Sequence, residues 1–303
     1  MPKSVLITGG TGLVGARLTE LLKENGYQVR YLSRSSGSKN GVQAYAWDVD
    51  KQTIDKSAFD EITHIIHLAG AGVADEKWTA KRKKEILESR TKSTQLIYET
   101  LKSINHHVET FISASAIGYY GWDTGGVWVK EGSRFGDDFL ATVTKAWEEK
   151  VDLFEELKIR TAKLRIGIVF SGKGAALKEL ARPVKFGLGA ALGKGDQYMS
   201  WIHVDDLCNM FIHAIENKEV HGVYNAVGPN PETNKHITKE IGKVLKRPIW
   251  LPNVPGFVLK LMLGQRAAMI LGGSRVSSEK IESTGFKFRF PNLIDALKDL
   301  LSK

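Results

Sequence analysis

A chain of 303 residues with 42% hydrophobic and 25% charged residues can bury a sizeable core, which excludes a disordered chain and suits one large α/β unit with a smaller annex. Its single cysteine, Cys208, excludes an intrachain disulfide, and no apolar run reaches the about 18 residues of a membrane-crossing helix. The net charge of +9 is spread along the chain rather than gathered into a stripe, so neither nucleic acid nor membrane is expected as a partner, and a cytoplasmic location is expected.

Strand-like apolar runs lie at residues 5–8, 29–33, 42–47, 64–68, 110–113 and 162–169, and helical patterns at 13–25, 81–104 and 138–157 alternate with them. Such alternation predicts an α/β fold, a Rossmann-type doubly wound parallel sheet with the ligand crevice at the carboxyl ends of its strands. The basic run 81–84 is followed by Glu85 and Glu88 and reads as a solvated helix face. Beyond Val169 the pattern changes to a loop-rich stretch punctuated by Gly172, Gly174, Gly187, Gly189, Gly193 and Gly195. A helix is predicted from Val204 to Glu216 and another over 237–245, and the stretch 254–271, interrupted by Lys260, Gln265 and Arg266, reads as an amphipathic or buried helix pair. The expected division is a cofactor-binding Rossmann domain over 1–170, with residues 204–226 returning to it, and a smaller mixed α/β C-terminal lobe over 171–303.

The strongest local signal is the run Thr8-Gly9-Gly10-Thr11-Gly12-Leu13-Val14-Gly15, which follows a predicted strand and opens a predicted helix. Gly9 permits a tight turn, Gly12 lets a pyrophosphate approach the backbone, and Gly15 lets helix and strand pack closely. The free N–H groups at the helix start then face the phosphates. The second strand selects the cofactor. It ends Tyr31-Leu32-Ser33-Arg34-Ser35-Ser36, with no carboxylate for a ribose 2′-hydroxyl. Arg34 instead offers a planar fork to a 2′-phosphate, so NADP(H) is expected over NAD(H).

Several stretches together resemble one family. They are the glycine loop, His67-Leu68-Ala69-Gly70, Trp78 with Lys83 and Ser89-Arg90, the run Ser113-Ala114-Ser115-Ala116-Ile117-Gly118-Tyr119-Tyr120-Gly121, Trp147-Glu148, Leu164-Arg165-Ile166-Gly167, Trp201 to Asp206, and Gly273-Ser274-Arg275-Val276 in the tail. The chain resembles the atypical extended short-chain dehydrogenases/reductases (SDRs), and within them the bacterial NAD(P)-dependent epimerase-like family that also has a human NADP-binding member. The resemblance implies further cofactor contacts: Asp48 facing the adenine, Leu68, Ala69 and Gly70 along the adenine ribose, Arg90 and Ser113 from the matching stretches, and Arg165 leading toward the nicotinamide. The residues alone also allow a strand cap at Asp48, plain strand and turn at 68–70, and an ion-pair partner at Arg165.

An active SDR places a Tyr and, four residues later, a Lys on one helix face, where the cation lowers the phenol's pKa for proton exchange. The helix expected here holds Leu140 and Thr144 at those positions, or Ala141 and Lys145 in the alternative alignment, so the usual pair is missing. The substrate-steadying Ser falls on Ser115, or on Ala116 in an ungapped match. Tyr119 or Tyr120 could serve as acid or base, with aromatic packing as the alternative; His203 is a further candidate whose motif points to a structural role. No Cys/His set has metal spacing, and no metal is expected. Two readings stay open: an NADP(H)-dependent oxidoreductase or epimerase-like enzyme acting on a small polar, sugar-like substrate, and a catalytically degenerate NADP(H)-binding sensor or interaction protein, for example one linked to cell division. The resemblance also brings in a homodimer joined through the helices near 81–104 and 138–157.

Overall fold

The computed structural model describes residues 3–302. The first half of the chain contains strands β1 (Ser4–Thr8), β2 (Gln28–Ser33), β3 (Gly37–Lys39), β4 (Val42–Asp48), β5 (Thr53–Ile54), β6 (His64–His67), β7 (Thr110–Ala116) and β8 (Trp128–Val129), with helices α1 (Leu13–Glu24), α2 (Ala80–Lys102) and α3 (Phe139–Asp152). The second half contains β9 (Arg160–Ile166), β10 (Ile168–Phe170), β11 (Tyr198–Met199), β12 (Trp201–His203), β13 (Gly222–Ala226), β14 (Glu232–Thr233) and β15 (Arg275–Val276). Its helices are α4 (Ala175–Lys185), α5 (Val204–Glu216), α6 (Asn234–Val244), α7 (Gly256–Leu263), α8 (Ala268–Leu271), α9 (Glu279–Glu282) and α10 (Leu293–Leu301).

The main sheet runs β13-β9-β7-β6-β1-β2-β4-β3, with β5 paired to the carboxyl end of β4. All pairings are parallel from β13 to β4, and only β3 and β5 run antiparallel. The doubly wound parallel sheet is therefore present. Its strand order reverses between β1 and β6, which opens a crevice above their carboxyl ends. Helices cover both sides, so β1 is buried along its whole length and reads as an unbroken apolar run. α1 turns Gly15, Leu18, Thr19 and Leu22 inward at helical spacing. It packs against α5, while α2 packs against α3.

The predicted strand over 162–169 is two strands. A Cβ at Gly167 would fall 2.2 Å from the Ser200 carbonyl, and here the chain leaves the main sheet so that β10 can pair with β12. β10 and β12 seed a second core in which Phe170 stacks on Trp201 at 5.7 Å, enclosed by apolar residues of α4, α6 and α10. α5 and β13 belong to the first layer, since β13 pairs with β9 at the edge of the main sheet. The two parts are joined by Asp206, which accepts from the N–H groups of Arg289 (2.7 Å) and Phe290 (2.9 Å), while Arg17 grips Asp205 through two nitrogens at 2.7 and 3.1 Å and ties α1 to α5 within the first layer.

Two further expectations differ from the structure. The basic run at the start of α2 is not uniformly solvated: Arg82 is buried and donates to the Gly72 carbonyl at 2.7 Å and to Glu85 at 2.8 Å, pinning the loop after β6. The apolar stretch 254–271 does not bury as a pair. Only Leu259 and Ala267 are buried there, and α7 leaves Phe257, Leu261 and Met262 in solvent.

Candidate functional site

The crevice starts at the glycine loop. Gly9 has φ +72, and a Cβ there would press on the backbone of Leu68 and Ala69 at 3.1 Å, so the loops after β1 and β6 touch. The Gly12 N–H bonds back to the Gly9 carbonyl at 3.0 Å and closes the turn. A Cβ at Gly15 would lie 2.3 Å from the Gly9 carbonyl oxygen, so no side chain fits. α1 begins at Leu13, and the N–H groups of Leu13, Val14 and Gly15 have no acceptor within the helix. No acidic residue stands in the first turn. Thr11 lines the cavity mouth beside them. This end of α1 is a seat for an anionic, phosphate-bearing group.

A cavity of about 1080 Å³ extends from that seat over the ends of β2, β4 and β6. Arg34 stands on its wall, exposed, with no ion pair or side-chain hydrogen bond among the described residues. Asp48 also lines it, half-exposed. Its carboxylate accepts from the N–H groups of Lys51 (3.0 Å) and Asp50 (3.1 Å), which hold its pKa below the ordinary carboxylate value. Ala69 and Gly70 face the cavity, while Leu68 packs against the core. A smaller cleft of about 470 Å³ lies at the opposite, amino end of the sheet, beside Lys3, Tyr27 and Arg160. The Arg160 guanidinium there is taken up by the carbonyls of Ala214, Ile215 and Val220, and no glycine turn faces that cleft.

Beneath the loops lies a polar node that the sequence reading did not single out. Thr8 Oγ1 accepts from the N–H groups of Leu68 and Ala69, each at 3.1 Å, and meets His67 Nδ1 at 2.8 Å. His67 Nε2 meets the hydroxyls of Ser93 (3.2 Å) and Thr94 (3.1 Å). Burial, reinforced by the charge of Arg90, pushes the imidazole pKa down to about 3, so this ring is neutral. Thr8 and His67 each stood in a stretch quoted above, but only the pairing of β1 with β6 brings them together. Arg90 lies under Gly70, where a Cβ would come within 3.0 Å of its Cζ. It donates to the carbonyls of Ala71 and Ile86 at 3.0 Å and lies 5.3 Å from the Trp147 ring centroid. It has no carboxylate partner among the described residues, and burial, then Arg82, lowers its pKa to about 10. Ser113 is fully buried in β7, its hydroxyl on the Ala114 carbonyl at 2.8 Å.

The residues expected to carry chemistry converge at the carboxyl end of β7, and most of them bind one another. Ser115 lies opposite Arg165 in the β7–β9 register. Glu148 reaches down from α3 and accepts from Ser115 Oγ at 2.5 Å and from Arg165 Nε and Nη2, both at 2.8 Å. The remaining Arg165 nitrogen donates to the Tyr120 hydroxyl (3.0 Å) and the Glu131 carbonyl (3.1 Å). The Tyr120 hydroxyl in turn donates to Asn225 at 2.7 Å, and burial holds its pKa above the ordinary phenol value despite the opposing pull of Arg165. Burial works against the Arg165 charge, yet the Glu148 carboxylate keeps its pKa above the ordinary arginine value. Ser115, Tyr120 and Arg165 thus form one closed, buried network, and Arg165 takes the ion-pair role that the residues alone had allowed. Tyr119 differs. Its ring centroid lies 3.3 Å from the Arg165 Cζ, the residue is half-buried, and its hydroxyl has no hydrogen-bond partner among the described residues.

α3 offers no Tyr–Lys pair. A Cβ at Gly118 would face Leu140 at 3.4 Å and Thr144 Oγ1 at 3.9 Å, so these two present themselves to the turn after β7. Lys145 points outward, its ammonium 4.5 Å from the Phe135 centroid and 3.9 Å from Glu149. His203 is structural in its contacts. It caps α5 through Nδ1, accepting from the Asp205 N–H at 3.0 Å, approaches Asp299 at 3.4 Å, and stacks on Phe290 at 3.9 Å. Burial holds its pKa below the ordinary value.

Residues 5–137 match the NAD dependent epimerase/dehydratase family, and residues 254–300 match a domain of unknown function (DUF1731). An epimerase family protein of Staphylococcus aureus (strain MRSA252) is 33% identical over 99% of this chain and 100% of its own length. The epimerase family protein YfhF of Bacillus subtilis (strain 168) is also 33% identical, over 99% of this chain and 98% of its own. Among solved structures, the human epimerase family protein SDR39U1 (isoform 2), crystallised with NADPH, superposes with a TM-score of 0.88 at 30% identity and covers 99% of both chains. The UDP-glucose 4-epimerase of Thermotoga maritima, at 19% identity and a TM-score of 0.76 over 97% of this chain and 96% of its own, shares the fold. With whole-length relatives at this identity and that fold in common, the chain belongs to the epimerase family, among the atypical short-chain dehydrogenases/reductases.

Proposed function

We propose that this chain binds NADP(H) across the carboxyl edge of its sheet and carries out oxidoreductase or epimerase-like chemistry on a small polar, sugar-like substrate. One observation carries the cofactor reading: a free, exposed Arg34 fork stands at the end of β2 on the wall of the glycine-loop cavity, where an NAD site has a carboxylate. The human neighbour solved with NADPH supports it. The loop 9–15 would take the pyrophosphate on the N–H groups of Leu13, Val14 and Gly15. Arg34 would pair with the 2′-phosphate, while Asp48, Ala69 and Gly70 would border the adenosine. Arg90, the cation under Gly70 that no carboxylate among the described residues neutralises, would lend its field to the phosphates. When bound, the nicotinamide supplies a hydride acceptor or donor. Tyr119 is the chain's candidate for proton exchange with substrate, because its hydroxyl has no hydrogen-bond partner among the described residues while the Arg165 guanidinium lies against its ring. The network of Ser115, Glu148, Arg165 and Tyr120 would hold that turn rigid.

A second reading, an NADP(H)-binding sensor without turnover, is favoured by Leu140 and Thr144 in place of a Tyr–Lys pair. Calorimetric titration with NADPH and NADH tests the cofactor claim. Tight NADPH binding, with the preference over NADH cut by roughly tenfold or more in Arg34→Ala, is expected; no binding of either nucleotide overturns it. Turnover of carbonyl or sugar-nucleotide substrates by the NADPH-competent protein separates the enzyme from the sensor.

A further inference from the structure

Large apolar side chains in water are concentrated in the C-terminal lobe. Among the described residues, seven are more than half exposed, and six of these are Phe186, Leu188, Trp250, Phe257, Leu261 and Met262; Val127 is the other. Folded proteins rarely leave such a group uncovered without a partner for it. The six come from adjoining segments. The chain on either side of Ala191 runs parallel to the chain leading to Val254: the Val254 N–H donates to the Ala191 carbonyl at 2.8 Å, and the Gly193 N–H donates to the Val254 carbonyl at 2.9 Å. A Cβ at Gly189 would fall 2.5 Å from Ile249 Cδ1, so the segment carrying Leu188 adjoins the one carrying Trp250. The chain then enters α7, where Phe257 and Leu261 share one face and only Leu259 is buried.

The segments that carry these side chains are basic. Residues 235–262 carry six cations (Lys235, Lys239, Lys243, Lys246, Arg247 and Lys260) against Glu240 alone, a net +5 out of the +9 of the whole chain. Glu240 is buried and already paired with Lys243 at 2.6 Å. Lys239, Lys246 and Arg247 line a cleft with Ile249, next to Trp250, and have no ion pair among the described residues. Arg182 and Lys185 add two more cations on the turn of α4 that leads to Phe186. A second copy of this chain is a poor cover, because it would set one +5 surface against another. A nucleic acid would pair the cations but leave the Leu, Met and Phe side chains wet.

We propose that this basic, apolar face of the C-terminal lobe docks on an anionic lipid bilayer, with Trp250, Phe257, Leu261 and Met262 entering the headgroup boundary and the surrounding Lys and Arg meeting lipid phosphates. The attachment is peripheral, since no helix among the described residues is long and apolar enough to cross a membrane. It departs from the expectation that no membrane is a partner, while keeping to the absence of a spanning helix among the described residues.

The test is co-sedimentation of the full chain with vesicles of phosphatidylcholine alone and of phosphatidylcholine mixed with phosphatidylglycerol. Pelleting with the mixed vesicles only, its loss in high salt, and a blue shift of tryptophan emission that disappears in Trp250→Phe are expected. Phe257→Asp with Leu261→Asp should abolish pelleting while leaving the circular-dichroism melting curve in place, because both side chains are exposed. Lys246→Glu with Arg247→Glu should weaken it by roughly tenfold or more. No pelleting with either vesicle, equal pelleting with both, or variants that pellet like the native chain would overturn the proposal, and the first of these would redirect the search to an acidic protein partner.

Discussion

Gly15 illustrates how little room the loop allows. A methyl group there must displace the Gly9 carbonyl, which it would approach to 2.3 Å, and with it the turn that faces the cavity. Gly15→Ala is expected to destabilise the protein by about 1–3 kcal/mol in urea unfolding and to abolish NADPH binding in calorimetry. Tyr119→Phe removes the one free hydroxyl of the turn after β7. If that phenol exchanges the proton, kcat should fall by roughly 100-fold or more with NADPH affinity unchanged; an unaltered kcat would remove Tyr119 from the chemistry. His67 gives a pH signature. Its pKa is about 3 in the folded chain against 6.5 in the unfolded one. Between those values the unfolded state binds a proton that the folded state refuses, so stability falls as pH falls through that window. The slope for this one site reaches about 1.4 kcal/mol per pH unit. Urea unfolding at pH 7.5 and pH 5 should show a smaller loss on acidification in His67→Gln than in the native chain.

At the scale of elements, Glu148 ties α3 to β7 and β9 through buried contacts at both ends. Glu148→Gln leaves Arg165 charged and poorly compensated in the interior. It should cost about 3–5 kcal/mol in urea unfolding, and loosen the turn carrying Tyr119. The sheet and its first helices were readable because their signals are local: alternating apolar runs, and glycines spaced within one turn. The α3 network was not, because residues 115, 148 and 165 come from three separate elements, and only the register of β7 on β9 sets Ser115 opposite Arg165. The strand break at Gly167 was hidden for the same reason, since its cause is a carbonyl at position 200. Hydropathy misled over 254–271: an apolar run looks the same whether the fold covers it or leaves it out.

At the scale of the molecule, the two cores share strands β10 and β12, whose Ile202 faces the first core and Phe170 and Trp201 the second. A polar hook adds to this: Asp206 in α5 holds the amides of Arg289 and Phe290 in the tail. Asp206 is buried with two N–H donors to satisfy, so Asp206→Ala should release the tail, and proteolysis near Arg289 should accelerate before global unfolding begins. The edge strand β13 has a further consequence. It pairs with β9, yet the chain must pass through the whole glycine-rich excursion and α5 before it returns to complete the sheet. While the protein is being synthesised, the first half must therefore wait for α5 and β13 with its β9 edge open, an edge able to pair with a neighbouring nascent chain. A fragment ending at residue 170 should be insoluble for this reason. Slowing a ribosome over codons 167–221 is then expected to lower the recovered soluble protein, a vulnerability of its birth that the finished molecule no longer carries.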